Sequence, residues 1–476
     1  MILPCQRSMC RAHRHAHRHA NRFPGAALLL ALLSLLSLVP ACGSDGGSVR
    51  GAPVEMAEVA NLPKAAIDQS TAVNGLQPLS GPARCDVSLR ELVYRTPDPR
   101  GSDLIVVSAA LLVPGGADCR GPFPLVAYSK GTDVLRARTL ANAADPETQM
   151  LVAMLAAQGY AVVAPDYIGF ARSDYPYHPY LEAASEAATN LDAMRAARSA
   201  LLPQGVLLQD GVFLAGYSQG GHVSMASQRV IESGRPGDIE VAAAGHSSGP
   251  YDLGGTFLAG LSLLPAGSAG STLFVPYVVT GYQKTYGNLY AAPSDYFKPP
   301  YDGWIENLLP GDLSPEQLLT SGRLPLLLGD LITPRVVSDL QTPGSGLRQA
   351  LERNTLLSWT PQAPTLLCGG ARDPRVDFRN TLQAQAGFQA RGATVTIVDV
   401  EKVPAFAPQF PAMLTPAQLA DYHGGTVPPL CMKVVRDQLF EPVRAARADL
   451  ARAVDRLPAL SSSQGVGDFA SVRVAR

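Results

Sequence analysis

The residues best suited to chemistry lie in the segment Gly216-Tyr217-Ser218-Gln219-Gly220. The apolar run Val212–Ala215 before it is typical of a buried strand, and apolar residues recur at helical spacing through residues 219–231. A strand that turns directly into a helix needs flanking glycines and lifts the serine hydroxyl clear of the sheet. This order predicts that Ser218 is a nucleophile.

The pattern Gly-x-Ser-x-Gly occurs a second time, around Ser247 in residues 245–249. That serine also follows a strand-like run, at residues 240–244, but Pro250 comes soon after it and prevents a clean helix start. Only Ser218 has strand, turn and helix in the required order. The alternative for Ser218 is a glycine-rich turn with an incidental serine.

A serine hydroxyl becomes a nucleophile at neutral pH only when a base lies within hydrogen-bonding reach. Beyond the N-terminal segment the histidines are His178, His222, His246 and His423. His222 is one helical turn after Ser218 and is expected to point below the turn, whereas His178 lies in a loop expected to border the pocket. We identify His423, on a glycine-rich loop after the last strands, as the base, with His246 as the alternative.

The base needs an acid that orients it. Asp373 stands just beyond the carboxyl end of a predicted strand, where side chains point toward the ligand crevice of a parallel sheet. Asp377 and Asp252 are alternatives, each more typical of a surface or capping residue. The resulting order of serine, aspartate and histidine is the one that strand–turn–helix hydrolases use.

The oxyanion that develops during attack on a carbonyl needs two fixed N–H donors. The backbone N–H of Gln219, directly after the nucleophile, is one candidate. The other is expected from the loop after the predicted strand 124–128, and we assign it to the Thr132 amide.

Strand-like and helical stretches alternate along most of the chain, which predicts an α/β fold with a mostly parallel sheet flanked by helices. The alternation lapses over residues 254–358, a part rich in aromatics that we interpret as a helical cap or lid inserted into a core of residues 61–253 and 359–460. Residues 461–476 are expected to be a frayed tail.

The N-terminal segment is predicted to be a targeting signal. Arginines precede an apolar run at residues 26–39, which is of signal-peptide length and ends in small residues before Cys42. Residues 1–42 therefore resemble a bacterial lipoprotein signal in which Cys42 is lipidated, and Gly43 after that cysteine favours the outer membrane. Residues 43–60, rich in Gly, Ser and Ala, are interpreted as a flexible tether.

An exported chain resides in an oxidising compartment, where cysteines pair. Four cysteines remain after the signal, namely Cys85, Cys119, Cys368 and Cys431, and they allow three pairings. We favour Cys85–Cys119 and Cys368–Cys431, each local to its own end of the chain. No cysteine or histidine spacing is typical of a zinc site, and we expect neither a metal nor a cofactor.

The composition argues against a disordered chain and against a nucleic-acid-binding protein. Hydrophobic residues make up 46% and charged residues 17% of the 476-residue chain, as in globular proteins. The formal net charge is −1, and the basic excess is confined to the N-terminal segment, so no basic surface for nucleic acid is expected.

These motifs resemble the α/β-hydrolase fold and, within it, the secretory lipase family of the fungal lipase A type and its bacterial relatives. The resemblance rests on Lys130-Gly131-Thr132, Pro165–Phe170, Gly216–Gly221, Gly249–Leu253, Asp373 and His423. It implies a Ser-Asp-His esterase with a helical cap over an acyl pocket. Many relatives have His-Gly-Thr where this chain has Lys130-Gly131-Thr132, and the lysine is expected to be a solvated side chain, or else to order the loop.

The expected function is therefore an exported, lipid-anchored serine hydrolase that cleaves small-molecule or lipid carboxylic esters. A prolyl-peptidase-like or other amide hydrolase with the same triad is one alternative. A catalytically silent surface lipoprotein that binds ligands through its lid is the other.

Overall fold

The computed structural model describes residues 49–234, 237–268 and 270–455. The predicted signal segment with Cys42 and the predicted tail 461–476 lie outside these residues. Among the described residues no helix is both long and apolar enough to cross a membrane.

The described part of the chain contains a nine-stranded sheet with the strand order β1-β2-β3-β5-β4-β6-β7-β8-β9. The neighbours β1 and β2, β2 and β3, and β3 and β5 are antiparallel. All other neighbours in this order, from β5 and β4 to β8 and β9, are parallel. The strands are β1 Pro53–Leu62, β2 Asp86–Pro97, β3 Leu104–Gly115, β4 Phe123–Ser129, β5 Ala161–Pro165, β6 Leu208–Tyr217, β7 Val241–Ser247, β8 Thr365–Gly369 and β9 Thr396–Asp399.

Helices cover the sheet and build the cap. They are α1 Lys64–Asn74, α2 Gln77–Ser80, α3 Pro146–Met154, α4 Ala183–Leu201, α5 Gln219–Glu232, α6 Leu253–Gly260, α7 Ser271–Tyr286, α8 Pro315–Thr320, α9 Leu328–Leu331, α10 Pro334–Gln341, α11 Gly346–Arg353, α12 Arg379–Gln389, α13 Pro416–Asp421, α14 Val427–Val435 and α15 Glu441–Asp455.

The central strands are apolar throughout because both faces of the sheet are covered. In β4 every residue is buried. Its side chains alternate: Val126 and Tyr128 pack in the core on the side of α3 and α14, whereas Leu125 and Ala127 pack on the side of α4. The fold is therefore the mostly parallel sheet flanked by helices that the alternating pattern predicted, and it agrees with the α/β-hydrolase fold that the resemblance implied.

The insertion between β7 and β8 consists of helices α6 to α11 with a hydrophobic core of its own. Many of its aromatic residues are buried in that core, among them Tyr277, Tyr282, Tyr296 and Phe297. Val134, Tyr180 and Leu181, from loops above the sheet, pack into the same cluster. The cap is thus seated on the end of the sheet at which the parallel strands terminate.

The prediction of a flexible tether over residues 43–60 is wrong from the start of β1 onward. β1 pairs with β2 from Pro53, opposite Tyr94, to Leu62, opposite Val87. Before it, the Arg50 Nε lies 2.7 Å from a carboxylate oxygen of the fully buried Asp192. Most residues of β1 are exposed, so its order comes mainly from backbone pairing along a sheet edge, which composition does not reveal.

Two disulfides join the cysteines that the sequence pairs locally. Cys85 and Cys119 connect the start of β2 to the turn after β3, with Cα atoms 5.4 Å apart. Cys368 of β8 is bonded to Cys431 of α14, with Cα atoms 5.7 Å apart. The second bond closes the chain segment that contains both Asp373 and His423.

We predict that β1 contributes to stability although it is mostly exposed. A variant that begins at residue 63 should unfold more readily than one that begins at residue 49, by at least about 2 kcal/mol, because it loses the edge strand and leaves Asp192 without the Arg50 guanidinium. Urea unfolding with the disulfides intact measures the difference. Equal midpoints would show that the segment is a tether after all.

Candidate active site

Ser218 lies on a strained turn between β6 and α5. Its backbone dihedrals, φ 59° and ψ −121°, are unfavourable for a residue with a side chain and are found where function requires them. A β-carbon at position 216 would lie 2.0 Å from the Gly220 carbonyl oxygen, and one at position 220 would lie 1.8 Å from the Ser129 carbonyl oxygen. Both glycines of the motif are therefore required by contacts between backbones.

His423 connects Ser218 to Asp373 through two short hydrogen bonds. Its Nε2 is 2.8 Å from the Ser218 Oγ, and its Nδ1 is 2.7 Å from the Asp373 Oδ2. Because a carboxylate accepts, Nδ1 carries the proton and Nε2 is free to accept one from the hydroxyl. All three residues that the sequence singled out are thus brought together, and the arrangement can remove a proton from Ser218.

The acid is held by the loop after β8. The Asp373 Oδ1 accepts hydrogen bonds from the Arg375 and Val376 amides, at 2.9 and 3.1 Å, which leaves Oδ2 for the histidine. The base lies in a π-helical turn, Tyr422–Thr426, between α13 and α14. Tyr422 donates a hydrogen bond to Glu401 and fixes the entrance of that turn.

The rival residues occupy supporting positions. Ser247 ends β7, and its carbonyl accepts the Ser218 N–H at 3.0 Å, so the second Gly-x-Ser-x-Gly buttresses the turn. The imidazole of His246 is fully buried, where Nδ1 lies 2.8 Å from the Ser224 Oγ and Nε2 donates to the Gln228 Oε1 at 2.7 Å. Both of its ring nitrogens are therefore engaged away from Ser218.

The rival acids also have structural partners. Asp252 caps α6 by accepting the Gly255 N–H at 2.9 Å. Asp377 is half-exposed and lies 3.1 Å from the Arg379 guanidinium. Neither carboxylate is hydrogen-bonded to His423.

The two expected oxyanion donors lie in the same region. Gln219 is the first residue of α5, where backbone N–H groups have no partner within the helix. Thr132 lines a cavity together with Ser218 and His423. The neighbouring Gly131 N–H is taken up by the Glu147 carboxylate at 3.1 Å, which holds the loop in place.

The expectation of a solvated Lys130 is wrong. Its side chain is 1% exposed, with Nζ 4.3 Å from the centroid of the Phe170 ring and 3.8 Å from the Asp133 Oδ2. Burial lowers the pKa of the Lys130 ammonium, and Asp133 opposes that shift. The backbone oxygen of Lys130 accepts the Tyr167 hydroxyl at 2.9 Å, so this residue orders the loop that carries Thr132.

Sequence reasoning missed Glu186, a fully buried carboxylate in α4 directly beneath the turn. It contacts the side chains of Gln219 and His178. His178 is itself buried below the turn, although Tyr180 from the same loop does line the pocket. The available signal was the spacing of polar Glu186 and Asn190, four residues apart on a helix otherwise rich in alanine.

Two cavities meet at Ser218 and His423. One, of about 130 Å³, extends into the cap between apolar residues such as Leu253, Phe257, Leu261, Val278, Ile332 and Leu340. The other, of about 560 Å³, is lined more by polar groups, including Thr132, Arg138, Glu147 and Arg375. Within the described residues no group of three or more His, Cys, Asp or Glu side chains is placed to hold a metal ion.

The chain is similar to known proteins over most of its length. Residues 135–297 match the sequence model of the family described as secretory lipase. A ligand-bound structure of the rice cell wall degrading esterase LipA from Xanthomonas oryzae is 36% identical, with a TM-score of 0.74, covering 83% of this chain and 100% of that one.

More distant structures share the fold. A putative hydrolase from Legionella pneumophila is 22% identical with a TM-score of 0.68, covering 86% of this chain and 99% of that one. Lipase A from Candida antarctica is 16% identical with a TM-score of 0.55, covering 82% and 91%. No curated protein matches the chain.

We predict that His246 makes stability depend on pH. Burial lowers the pKa of His246 to about 3, whereas it is near 6.5 in an unfolded chain, so unfolding takes up a proton between these values. The contribution of His246 to the free energy of unfolding is present above pH 6.5 and is lost as the pH falls. The loss amounts to about 2 kcal/mol between pH 7 and pH 5. Denaturant unfolding at both values should show a loss about 2 kcal/mol larger in the wild type than in His246→Gln, which keeps the similar contribution of the buried His178. An equal loss in both proteins would contradict the assignment.

Proposed function

The chain belongs to the secretory lipase family of α/β-hydrolases and is a carboxylic ester hydrolase, and from that premise we propose that it acts through an acyl-enzyme on Ser218. The observation that carries this proposal is the hydrogen-bonded chain from the Ser218 Oγ through His423 to Asp373 on a strained turn. The same geometry suits an ester whose carbonyl carbon lies above the serine hydroxyl.

In the first half-reaction the Ser218 Oγ attacks the carbonyl carbon while the His423 Nε2 takes the hydroxyl proton. The tetrahedral intermediate then collapses, and its carbon–oxygen bond to the alcohol breaks as His423 returns the proton to the leaving oxygen. In the second half-reaction a water molecule attacks the acyl carbon while the His423 Nε2 takes one of its protons. The bond from that carbon to the Ser218 Oγ then breaks as His423 returns the proton to Oγ, which releases the acid and regenerates the serine. Asp373 stabilises the imidazolium formed in each step.

We assign stabilisation of the negatively charged oxygen of each tetrahedral intermediate to the backbone N–H groups of Gln219 and Thr132. Each such donor contributes on the order of 10²–10³ in rate because it is fixed before the charge develops. Acid–base transfer by His423 contributes a further 10²–10⁴ or so.

The two cavities suggest how an ester lies across the site. The apolar cavity in the cap suits a hydrocarbon group of a small-molecule or lipid ester, and the more polar cavity leaves space for the other side of the scissile bond. We assign the hydrocarbon group to the cap because the walls of the cavity there are mainly aliphatic and aromatic side chains.

Membership of a secretory family indicates an exported protein. The two disulfides fit an oxidising compartment. We further propose that Cys42 is lipidated and anchors the enzyme to the cell envelope, at the outer membrane, on the basis of the arginine-rich and apolar sequence that precedes it.

Replacing Ser218 by alanine should lower turnover of a p-nitrophenyl ester by about 10⁴-fold or more, since no other group can form the acyl-enzyme. Labelling by a fluorophosphonate probe should disappear with it. Ser247→Ala, in the second Gly-x-Ser-x-Gly, is the matched control and should keep both, because the supporting carbonyl is retained. Activity or labelling that survives in Ser218→Ala would refute the nucleophile assignment.

Replacing Cys42 by alanine should move the protein from the membrane to the soluble fraction of a bacterial host and abolish incorporation of labelled palmitate. Cys10→Ala, which changes a cysteine inside the predicted signal, should retain both properties. An unchanged distribution between the fractions would contradict lipid anchoring.

A further inference from the structure

We propose that Glu186 and His178 are positioning residues that hold Gln219 so that its backbone N–H faces the oxyanion. The inference rests on the proposed function, because it assigns a task to groups behind the oxyanion site. It comes from a cluster of buried polar side chains that the hydrolytic mechanism itself does not use. Glu186, His178 and Gln219 are each no more than 1% exposed.

The side-chain amide nitrogen of Gln219 has both of its hydrogens engaged within this cluster. Its Nε2 lies 2.5 Å from the Glu186 Oε1 and 2.7 Å from the His178 Nε2. An amide nitrogen has two hydrogens, and each of these neighbours takes one. The residue that supplies an oxyanion donor is therefore clamped from α4 on one side and from a loop on the other.

The protonation state of His178 is set so that it can accept. Its Nδ1 lies 2.9 Å from the Ile168 carbonyl oxygen, which only accepts, so the proton resides on Nδ1. Burial lowers the pKa of His178 to about 3, and the neighbouring Lys130 ammonium lowers it in the same direction. The ring is therefore neutral in the pH range of ester hydrolysis, and Nε2 presents a lone pair to Gln219.

Glu186 holds a second piece of the pocket. Its Oε1 also accepts the Leu181 N–H at 3.2 Å, and Leu181, whose φ is 57°, lines the apolar cavity beside Gln219. Its other oxygen, Oε2, lies 3.7 Å from the His222 Nδ1. The second nitrogen of the same ring, Nε2, donates to the Asn354 carbonyl. One carboxylate thus connects the start of α5, the pocket wall and the segment after α11.

This arrangement explains why a charged residue lies buried below a catalytic turn. A buried carboxylate is unfavourable unless it is hydrogen-bonded, and burial raises the pKa of Glu186 while the nearby His222 ring and the hydrogen bond from Gln219 oppose the shift. Catalysis is sensitive to the placement of donors, since a displacement of about 1 Å can lower a rate by roughly 10²-fold. A rigid clamp on Gln219 keeps the oxyanion donor in place before the charge forms.

The test separates positioning from folding by measuring kcat, KM and affinity for an alkylboronic acid, whose tetrahedral adduct on serine places an oxygen in the oxyanion site. Glu186→Ala should lower kcat about 10- to 100-fold, change KM less than about 3-fold, and weaken boronic acid binding by the same factor as kcat. Glu186→Gln should restore most of the loss, because its amide oxygen can accept from Gln219 while its amide nitrogen faces the His222 Nδ1.

Gln219→Met keeps the backbone N–H but removes the clamped amide, and it should reproduce the loss even if Glu186→Ala does not fold. Combining it with Glu186→Gln should then change kcat no further. The matched control is Glu182→Gln, a buried glutamate that caps the same helix and contacts Ser185 and Tyr286 but makes no hydrogen bond to Gln219.

Unchanged kcat and boronic acid affinity in folded Glu186→Ala, or in Gln219→Met, would overturn the positioning role while leaving the hydrolase assignment intact. Lower unfolding stability with unchanged kcat would do the same and would make the cluster merely structural. Absence of ester turnover and of boronic acid binding in the wild type would instead refute the proposed function and this inference with it.

Discussion

The structure depends on the close approach of three backbone segments at Ser218. The start of α5 contacts the loop after β4 through Gly220, and the carbonyl of Ser247 receives the Ser218 N–H from the neighbouring strand. No side chain fits between these segments, so the positive φ of Ser218 is imposed from outside the turn. The strain is borne by the surrounding parallel strands, whose residues are buried on both faces and hold the turn rigid.

The acid and the base depend on a second constraint, which is covalent. Asp373 and His423 lie on separate loops, but the bond between Cys368 and Cys431 joins the strand before the first to the helix after the second. The two loops therefore belong to one closed segment placed against the sheet beside the nucleophile. The disulfide therefore limits how far the two loops that carry Asp373 and His423 can move apart.

In the proposed function the cap contributes selectivity for the shape of the substrate. Its hydrophobic core is built mainly from its own helices, so the walls of the apolar cavity are supported independently of the sheet that carries the serine. In the proposed mechanism the buried groups Lys130, His178 and Glu186, beneath the end of the sheet, support the oxyanion loops instead of reacting. The proposed function thus assigns chemistry, substrate shape and donor placement to separate layers of one molecule.

The sequence by itself determined the alternating fold, the strand–turn–helix at Ser218, the insertion, and the residues that meet there, because each follows from local patterns or from the few histidines available. It failed at β1, whose order comes mainly from backbone pairing along an edge and whose apolar residues are interrupted by charged ones. It also failed at Lys130 and Glu186, since charged residues are usually solvated and the spacing of Glu186 and Asn190 on an alanine-rich helix does not by itself specify burial. Their partners come from loops and helices distant in the chain, and only the packing of α4 and α5 against those loops decided which polar atoms would meet.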